Sequence, residues 1–266
     1  WERYMQASGF TDAIVRFFHE APDGSLWMGT NIAGIARYKN GKFDLYEGEF
    51  GIGSNLIRSL FIEPGSDPND YVLWVGSEDQ GLFRLQIRQG EPQFQTVTQY
   101  STSDGMLDYV IHVILFDDEQ NFWFNTNRGI FKVAKNELEA FYRGETPSIQ
   151  GVAFTQNDGL RNREGNGGVQ PAGGRASDGA IWLPGQDGVT RFHPDSIITN
   201  TIPPPVIIEE IRTIEDTYIL PSDGSISLRA DQRDFEFHYS ALSFVEPAKN
   251  NFRYRLVGYN DDWIDA

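Results

Sequence analysis

Apolar and polar positions alternate with a period of two through short stretches of this chain. Val15, Phe17 and His19 alternate, as do Ile57, Ser59 and Phe61, and Ile111, Val113 and Leu115. That period predicts strands with two different faces. The first of these leads to a tight turn, then to a short apolar strand holding a tryptophan, and the same order recurs along the chain. The copies are Asp23-Gly24-Ser25-Leu26-Trp27-Met28-Gly29-Thr30, then Leu73-Trp74-Val75-Gly76-Ser77, Asn121-Phe122-Trp123-Phe124-Asn125-Thr126 and Asp178-Gly179-Ala180-Ile181-Trp182-Leu183-Pro184. A glycine-led strand follows each tryptophan, at residues 34–38, 81–85, 129–133 and 188–192, and an outer strand is predicted at 43–46 and 94–100. Asp23-Gly24 and Asp178-Gly179 are hairpin turns by composition.

Successive tryptophans are 47, 49 and 59 residues apart. Periods of forty to fifty indicate stacked four-stranded units, as in a β-propeller. The longer third interval predicts an insertion. Residues 136–143 are good helix formers with Leu138 and Phe141 on one face and Gly144 placed to stop them, so a short surface helix is expected. Trp27, Trp74, Trp123 and Trp182 are all expected in the core between blades, where large stiff apolar groups fill wedge-shaped gaps. Four blades rarely close a ring, so further blades are expected upstream; were Trp1 the true start, blades one and four would each present an apolar face unless they met each other or a second chain.

Pro203-Pro204-Pro205 predicts a stiff extended spacer. The chain divides there into residues 1–201, the propeller repeats, and 202–266, the start of an immunoglobulin-like β-sandwich. In the second part strands are expected at 206–209, 226–228, 235–241 and 252–256, with Phe235, Phe237, Tyr239 and Ala241 on one face. The fold class is all-β. Residues 4–9 resemble an outer strand that precedes a blade, and both ends of the chain look cut.

The 266 residues carry 22 Lys and Arg against 38 Asp and Glu, a net charge of −16, which repels phosphate backbones and makes nucleic acid an unsuitable partner. No cysteine is present, which removes disulfide and thiolate chemistry and leaves the redox compartment open. No stretch matches a membrane span or a signal peptide.

These motifs carry a family resemblance. The stretches from Leu26 to Tyr38 and from Leu73 to Leu85 resemble two-component regulator propeller repeats, with Asn125 and Pro184 departing from the usual glycine. The residues Asn157-Asp158-Gly159-Leu160, Glu164-Gly165-Asn166-Gly167-Gly168 and His193-Pro194-Asp195 are similar to that family's closing blade. The C-terminal part is similar to the three-tyrosine domain that follows such propellers, through Phe237-His238-Tyr239-Ser240-Ala241 and Phe252-Arg253-Tyr254-Arg255-Leu256. The resemblance implies the extracytoplasmic, noncatalytic ligand-sensing region of a membrane-bound bacterial signalling protein, with its periplasmic or extracellular location. The implied output is a histidine kinase or a GGDEF-type diguanylate cyclase. The implied partners are an oligosaccharide or other small molecule and a second copy of the chain, and the membrane is reached only through other parts of the parent protein.

Five residues are candidates for ligand contact: Arg128 in a turn bordering the axial face, and Arg161, Arg163, Glu164 and Asn166 on the loop leading to the last blade. Glu164 and Asn166 also suit fixing that turn through backbone amides. No metal or cofactor is expected, because the four histidines share no ligand spacing. Asp117, Asp118 and Glu119 sit at a hairpin tip where acids are ordinary turn residues. The alternative is a propeller enzyme, such as a polysaccharide lyase or glycoside hydrolase, using axial carboxylates or histidines.

Overall fold

The computed structural model describes residues 14–46, 48, 52–168, 170–197, 203–220, 225–229, 232–242, 250, 252–260 and 262–266. Residues 4–9 lie outside the described residues. The chain forms two compact units, Trp1–Ile197 and Ile198–Ala266.

The first unit holds four antiparallel sheets in chain order. Blade one is β1 (Val15–Glu20), β2 (Leu26–Thr30), β3 (Ile35–Lys39) and β4 (Lys42–Tyr46). Blade two is β5 (Ile57–Pro64), β6 (Tyr71–Ser77), β7 (Leu82–Arg88) and β8 (Glu91–Tyr100). Blade three is β9 (Val113–Phe116), β10 (Asn121–Asn125), β11 (Ile130–Ala134) and β12 (Gly151–Phe154). In each, the strands pair in the order they are made, because tight turns join neighbours. Asp23 accepts the Ser25 amide at 3.0 Å to shape the first turn, and Gly24 takes the left-handed conformation that the turn requires. The fourth sheet has three strands among the described residues, β13 (Gly174–Arg175), β14 (Ile181–Gly185) and β15 (Gly188–Phe192).

Three apolar clusters bind the four sheets face to face. Trp27 and Ile35 of blade one pack with Leu60, Ile62 and Leu73 of blade two. Trp74 and Leu82 of blade two pack with Phe122, Phe124 and Phe131 of blade three. Trp123 and Ile130 of blade three pack with Ala172, Ile181 and Leu183 of the fourth sheet. Each tryptophan thus fills the gap toward the next blade, and Trp27, Trp74 and Trp123 are fully buried. Trp182 departs from the expectation. It is 44% exposed, and Val189 of the adjoining strand β15 is 65% exposed.

The insertion is the helix α1 (Lys135–Tyr142), which ends where Gly144 turns left-handed. Its exposure is less than the sequence suggests. Leu138 is fully buried in the cluster of Trp74 and Tyr100, the Tyr100 hydroxyl donates to the Leu138 carbonyl at 3.2 Å, and Arg84 pairs with Glu139 at 2.9 Å. An amphipathic turn therefore seals the outer edge between blades two and three.

In the second unit β16 (Val206–Thr213) lies between β17 (Thr217–Ile219) and β18 (Phe235–Ala241), and β19 (Arg253–Tyr254) pairs with β20 (Ile264–Asp265). The expected strand at 226–228 is absent: these residues have no ladder partner. The expected strand at 252–256 shortens to two residues. Phe237 and Tyr239 are 41% and 36% exposed, and the Tyr239 ring stands 4.9 Å from that of Phe252.

Candidate functional site

The blade topology sorts the loops to two ends. Turns between the first and second strands, such as Asp23-Gly24, lie at one end. The turns after each tryptophan strand and the links between blades lie at the other, and all five sequence candidates fall there. The hydroxyls of Thr30, Ser77 and Thr126 accept backbone amides within those turns and donate to the carbonyls of Gly34, Gly81 and Gly129, so one device shapes three successive turns. It leaves the Arg128 side chain exposed beside Asn127.

The link from blade three to the fourth sheet is held in place by backbone bonds. The Gly165 amide donates to the Thr126 carbonyl at 2.8 Å and the Asn166 amide to the Pro184 carbonyl at 3.0 Å. Asn166 Oδ1 accepts the Gly168 amide at 3.0 Å, as expected for a turn-fixing residue. Glu164 bonds the Gln186 side chain at 3.2 Å and not a backbone amide. Arg161 and Arg163 are exposed, and the crevice beside Arg163 and Glu164 measures about 10 Å³, which is the room of one water.

The structure brings to this link three residues that the sequence reading passed over. Phe17, Ser59 and Val113 pair with Gly29, Gly76 and Asn125, so they are equivalent in successive blades. The residues just before them, Arg16, Arg58 and His112, are therefore equivalent too. Arg16 and Arg58 sit where the ladder skips a residue, a β-bulge at the strand end that re-aims a side chain. Arg16 Nη1 donates to the Gly168 carbonyl at 3.0 Å and Arg58 Nη1 to the Gly167 carbonyl at 3.3 Å. Gln170 donates to the Arg58 carbonyl at 3.1 Å, and Arg58 is ion-paired with Glu78.

His112 completes the set. Its ring lies against Gly167, where an added Cβ would stand 2.7 Å from His112 Cγ. Its Nε2 meets Asn127 Oδ1 at 2.8 Å, so this nitrogen carries the proton. Burial holds its pKa below the usual histidine value, with Arg58 acting in the same direction. His112 Nδ1, Arg16 Nε and Arg58 Nε are buried without a hydrogen-bond partner. A signal for this set existed in the sequence: Arg16 and His112 each precede their repeat tryptophan by 11 residues. The long hairpin at 64–70 displaces Arg58 from that register.

At the opposite end an open groove of about 480 Å³ runs beside α1, lined by Glu119, Lys135, Glu139 and Arg143. Three of these four charges are already paired, Lys135 with Glu63, Glu139 with Arg84 and Arg143 with Glu145. Asp117 is buried and accepts the Trp123 indole N–H at 2.7 Å, while Asp118 pairs with Arg175, so neither stands ready as an acid or base. Among the described residues no three His, Asp or Glu side chains converge as a metal set, and no helix is long and apolar enough to cross a membrane.

No family model matches the chain. The protein Histidine kinase P4 of Formosa agariphila is 22% identical to it, with 96% of this chain and 22% of that protein aligned. The chain thus spans about a fifth of the length of this curated relative. The extracellular domain of the hybrid two-component system BT3049 of B. thetaiotaomicron superposes with a TM-score of 0.58 at 18% identity, over 95% of this chain and 32% of that domain. The extracellular domain of BT4673 from the same organism, also 18% identical, gives a TM-score of 0.37. The BT3049 likeness establishes the fold: propeller-like blades of antiparallel strands joined to a smaller β-sheet unit.

Proposed function

We propose that this chain is the noncatalytic, ligand-sensing extracellular region of a membrane-anchored bacterial signalling protein of the two-component type. The observation that carries it is the BT3049 extracellular domain, whose fold matches 95% of this chain. The alignment to a histidine kinase over nearly the full chain supports a kinase as the output, ahead of a diguanylate cyclase. The Trp-led repeats and the aromatic strand at 235–241 support propeller repeats of the two-component regulator kind followed by a three-tyrosine domain. In this reading the blades take up an oligosaccharide or other small molecule, and paired copies pass the change toward the membrane.

A propeller enzyme is disfavoured by the carboxylates themselves. Asp108 accepts the Asn127 amide at 2.9 Å, Asp79 accepts the Ser54 hydroxyl at 2.5 Å, and Glu78 pairs with Arg58. The test is a thermal-shift screen of the chain against neutral and acidic oligosaccharides and small metabolites, followed by product analysis of each hit. A stabilising ligand recovered intact is expected. Consumption of the ligand would make the blades an enzyme, and silence across every class would remove the sensor reading.

A further inference from the structure

The inner-strand ends of three successive blades place two guanidinium groups and one imidazole against a single backbone segment, Gly165 to Gly168. We propose that this axial cluster of Arg16, Arg58 and His112 is the ligand site, that it takes an oxyanion, the carboxylate or sulfate of an acidic saccharide, and that the Gly167 and Gly168 carbonyls occupy it in the unliganded chain. The proposal deepens the sensor reading and rests on it.

The hydrogen bonds carry the first step. Guanidinium groups form short, often bidentate, charge-assisted pairs with carboxylates. Arg16 instead ends on a main-chain carbonyl, and Arg58 divides its donors between a carbonyl and Glu78. A carbonyl dipole is a weaker partner for a guanidinium than a full negative charge. Arg16 Nε and Arg58 Nε remain buried and unpartnered, an unfavourable state that an anionic acceptor would relieve, and His112 Nδ1, which carries no proton, would accept a hydroxyl of the same saccharide. Arg37 Nε and Arg84 Nη1 are also buried and unpartnered, but Arg16, Arg58 and His112 converge on one backbone segment.

The second step concerns what holds the carbonyls there. Gly167 lies against the His112 ring, where any side chain would collide, and Asn166 turns the segment by accepting the Gly168 amide. Gly167, having no side chain, lets the backbone approach this end of the blades closely. An arriving oxyanion replaces two carbonyl acceptors with charged ones, and the segment it releases leads directly into Gln170 and the fourth sheet. The net charge of −16 does not bar the approach, because charges beyond about 8 Å are largely screened at physiological ionic strength.

Isothermal titration calorimetry of the 266-residue chain with three probes tests this: a glucuronate-terminated disaccharide, a sulfated galactose disaccharide and neutral cellobiose. The expected result is that at least one acidic probe binds about tenfold or more tighter than cellobiose, and which one does so names the source of the oxyanion. Arg58→Gln and Arg16→Gln are each expected to weaken that probe about tenfold. Arg58→Lys should keep part of the affinity, and Arg143→Gln, exposed at the opposite end, should change it less than twofold. A melting curve of each variant separates lost affinity from lost fold. Equal binding of acidic and neutral probes, no binding of either acidic probe, or unchanged affinity in the folded Arg16 and Arg58 variants would overturn the site. Cellobiose bound equally well would leave the sensor reading standing, whereas the sensor reading fails only if the wider ligand screen is silent.

Discussion

Asn125 and Gly165 have exchanged the parts that Gly76 and Ile111 play one blade earlier. In blade two a Cβ added to Gly76 would stand 2.7 Å from Ile111 Cγ2, and in blade one the same holds for Gly29 against Ile57 Cγ2. The repeat glycine makes room for the next blade's inner strand. In blade three the position is Asn125, and the room has moved across the interface: a Cβ on Gly165 would stand 2.7 Å from Asn125 Cγ. Asn125 uses that space to donate to the Pro184 carbonyl at 2.9 Å.

Gly165→Ala is therefore expected to destabilise the chain by about 2 kcal/mol, the usual scale of an overpacked, unyielding contact. Asn125→Gly combined with Gly165→Ala should recover part of the loss, since the first change vacates the space that the second fills. Urea unfolding of the single and double variants measures the coupling. A double variant no more stable than Gly165→Ala alone would show that the two positions do not share one space.

The Tyr71 hydroxyl sits in a buried bond network between blades one and two. It accepts the Trp27 indole N–H at 2.7 Å, lies 3.2 Å from the Ser25 hydroxyl and faces Asp23, and burial raises its pKa. Tyr71→Phe keeps the ring but strands the indole donor, so a loss of about 1–3 kcal/mol is expected. Chemical denaturation measures it. A loss below a few tenths of a kcal/mol would mean that the indole finds another acceptor.

The repeat was open to sequence reading because its parts are local. A tryptophan every forty to sixty residues, an Asp-Gly turn and a glycine-led strand follow from neighbours in the chain, and their sheets form as expected. The Arg16, Arg58 and His112 set was open only in part: Arg16 and His112 each stand 11 residues before their tryptophan, but the long hairpin at 64–70 takes Arg58 out of that spacing, and its equivalence rests on strand register. Trp182 misled for another reason: the motif around it is that of a buried repeat, yet burial depends on what lies against the outer face. Leu138 misled in the opposite direction, since helix periodicity shows an apolar stripe but not the cluster that will cover it.

His112 predicts a pH dependence with a definite sign. Its pKa in the folded chain lies below the usual value of about 6.5, through burial first and Arg58 next, with Asn127, Glu78 and Asp108 opposing. As the pH falls below about 6.5 the unfolded chain takes up this proton before the folded one does, so stability drops until the folded-state pKa is reached. Urea midpoints at pH 7.5 and 5.0 should fall farther in the parent chain than in His112→Gln. An equal fall in both would assign the acid sensitivity to other groups.

The tryptophans themselves supply the sharpest contrast, because one motif meets two environments. Each stands across its hairpin from a cation: Arg37 lies 5.6 Å from the Trp27 ring, Arg84 5.9 Å from Trp74, Lys132 5.3 Å from Trp123 and Arg191 5.5 Å from Trp182. That local pairing is alike in all four. What differs is the far face of the ring, which for Trp123 touches the fourth sheet and for Trp182 is half open to solvent. Trp123→Ala should cost about 3–5 kcal/mol, the range for emptying a packed aromatic site. Trp182→Ala should cost less than about 1.5 kcal/mol, because much of the ring is never removed from water. Melting temperatures of the two variants decide it. If Trp182→Ala is as damaging as Trp123→Ala, the outer face of the fourth sheet is covered in solution, and the size of the loss measures the cover.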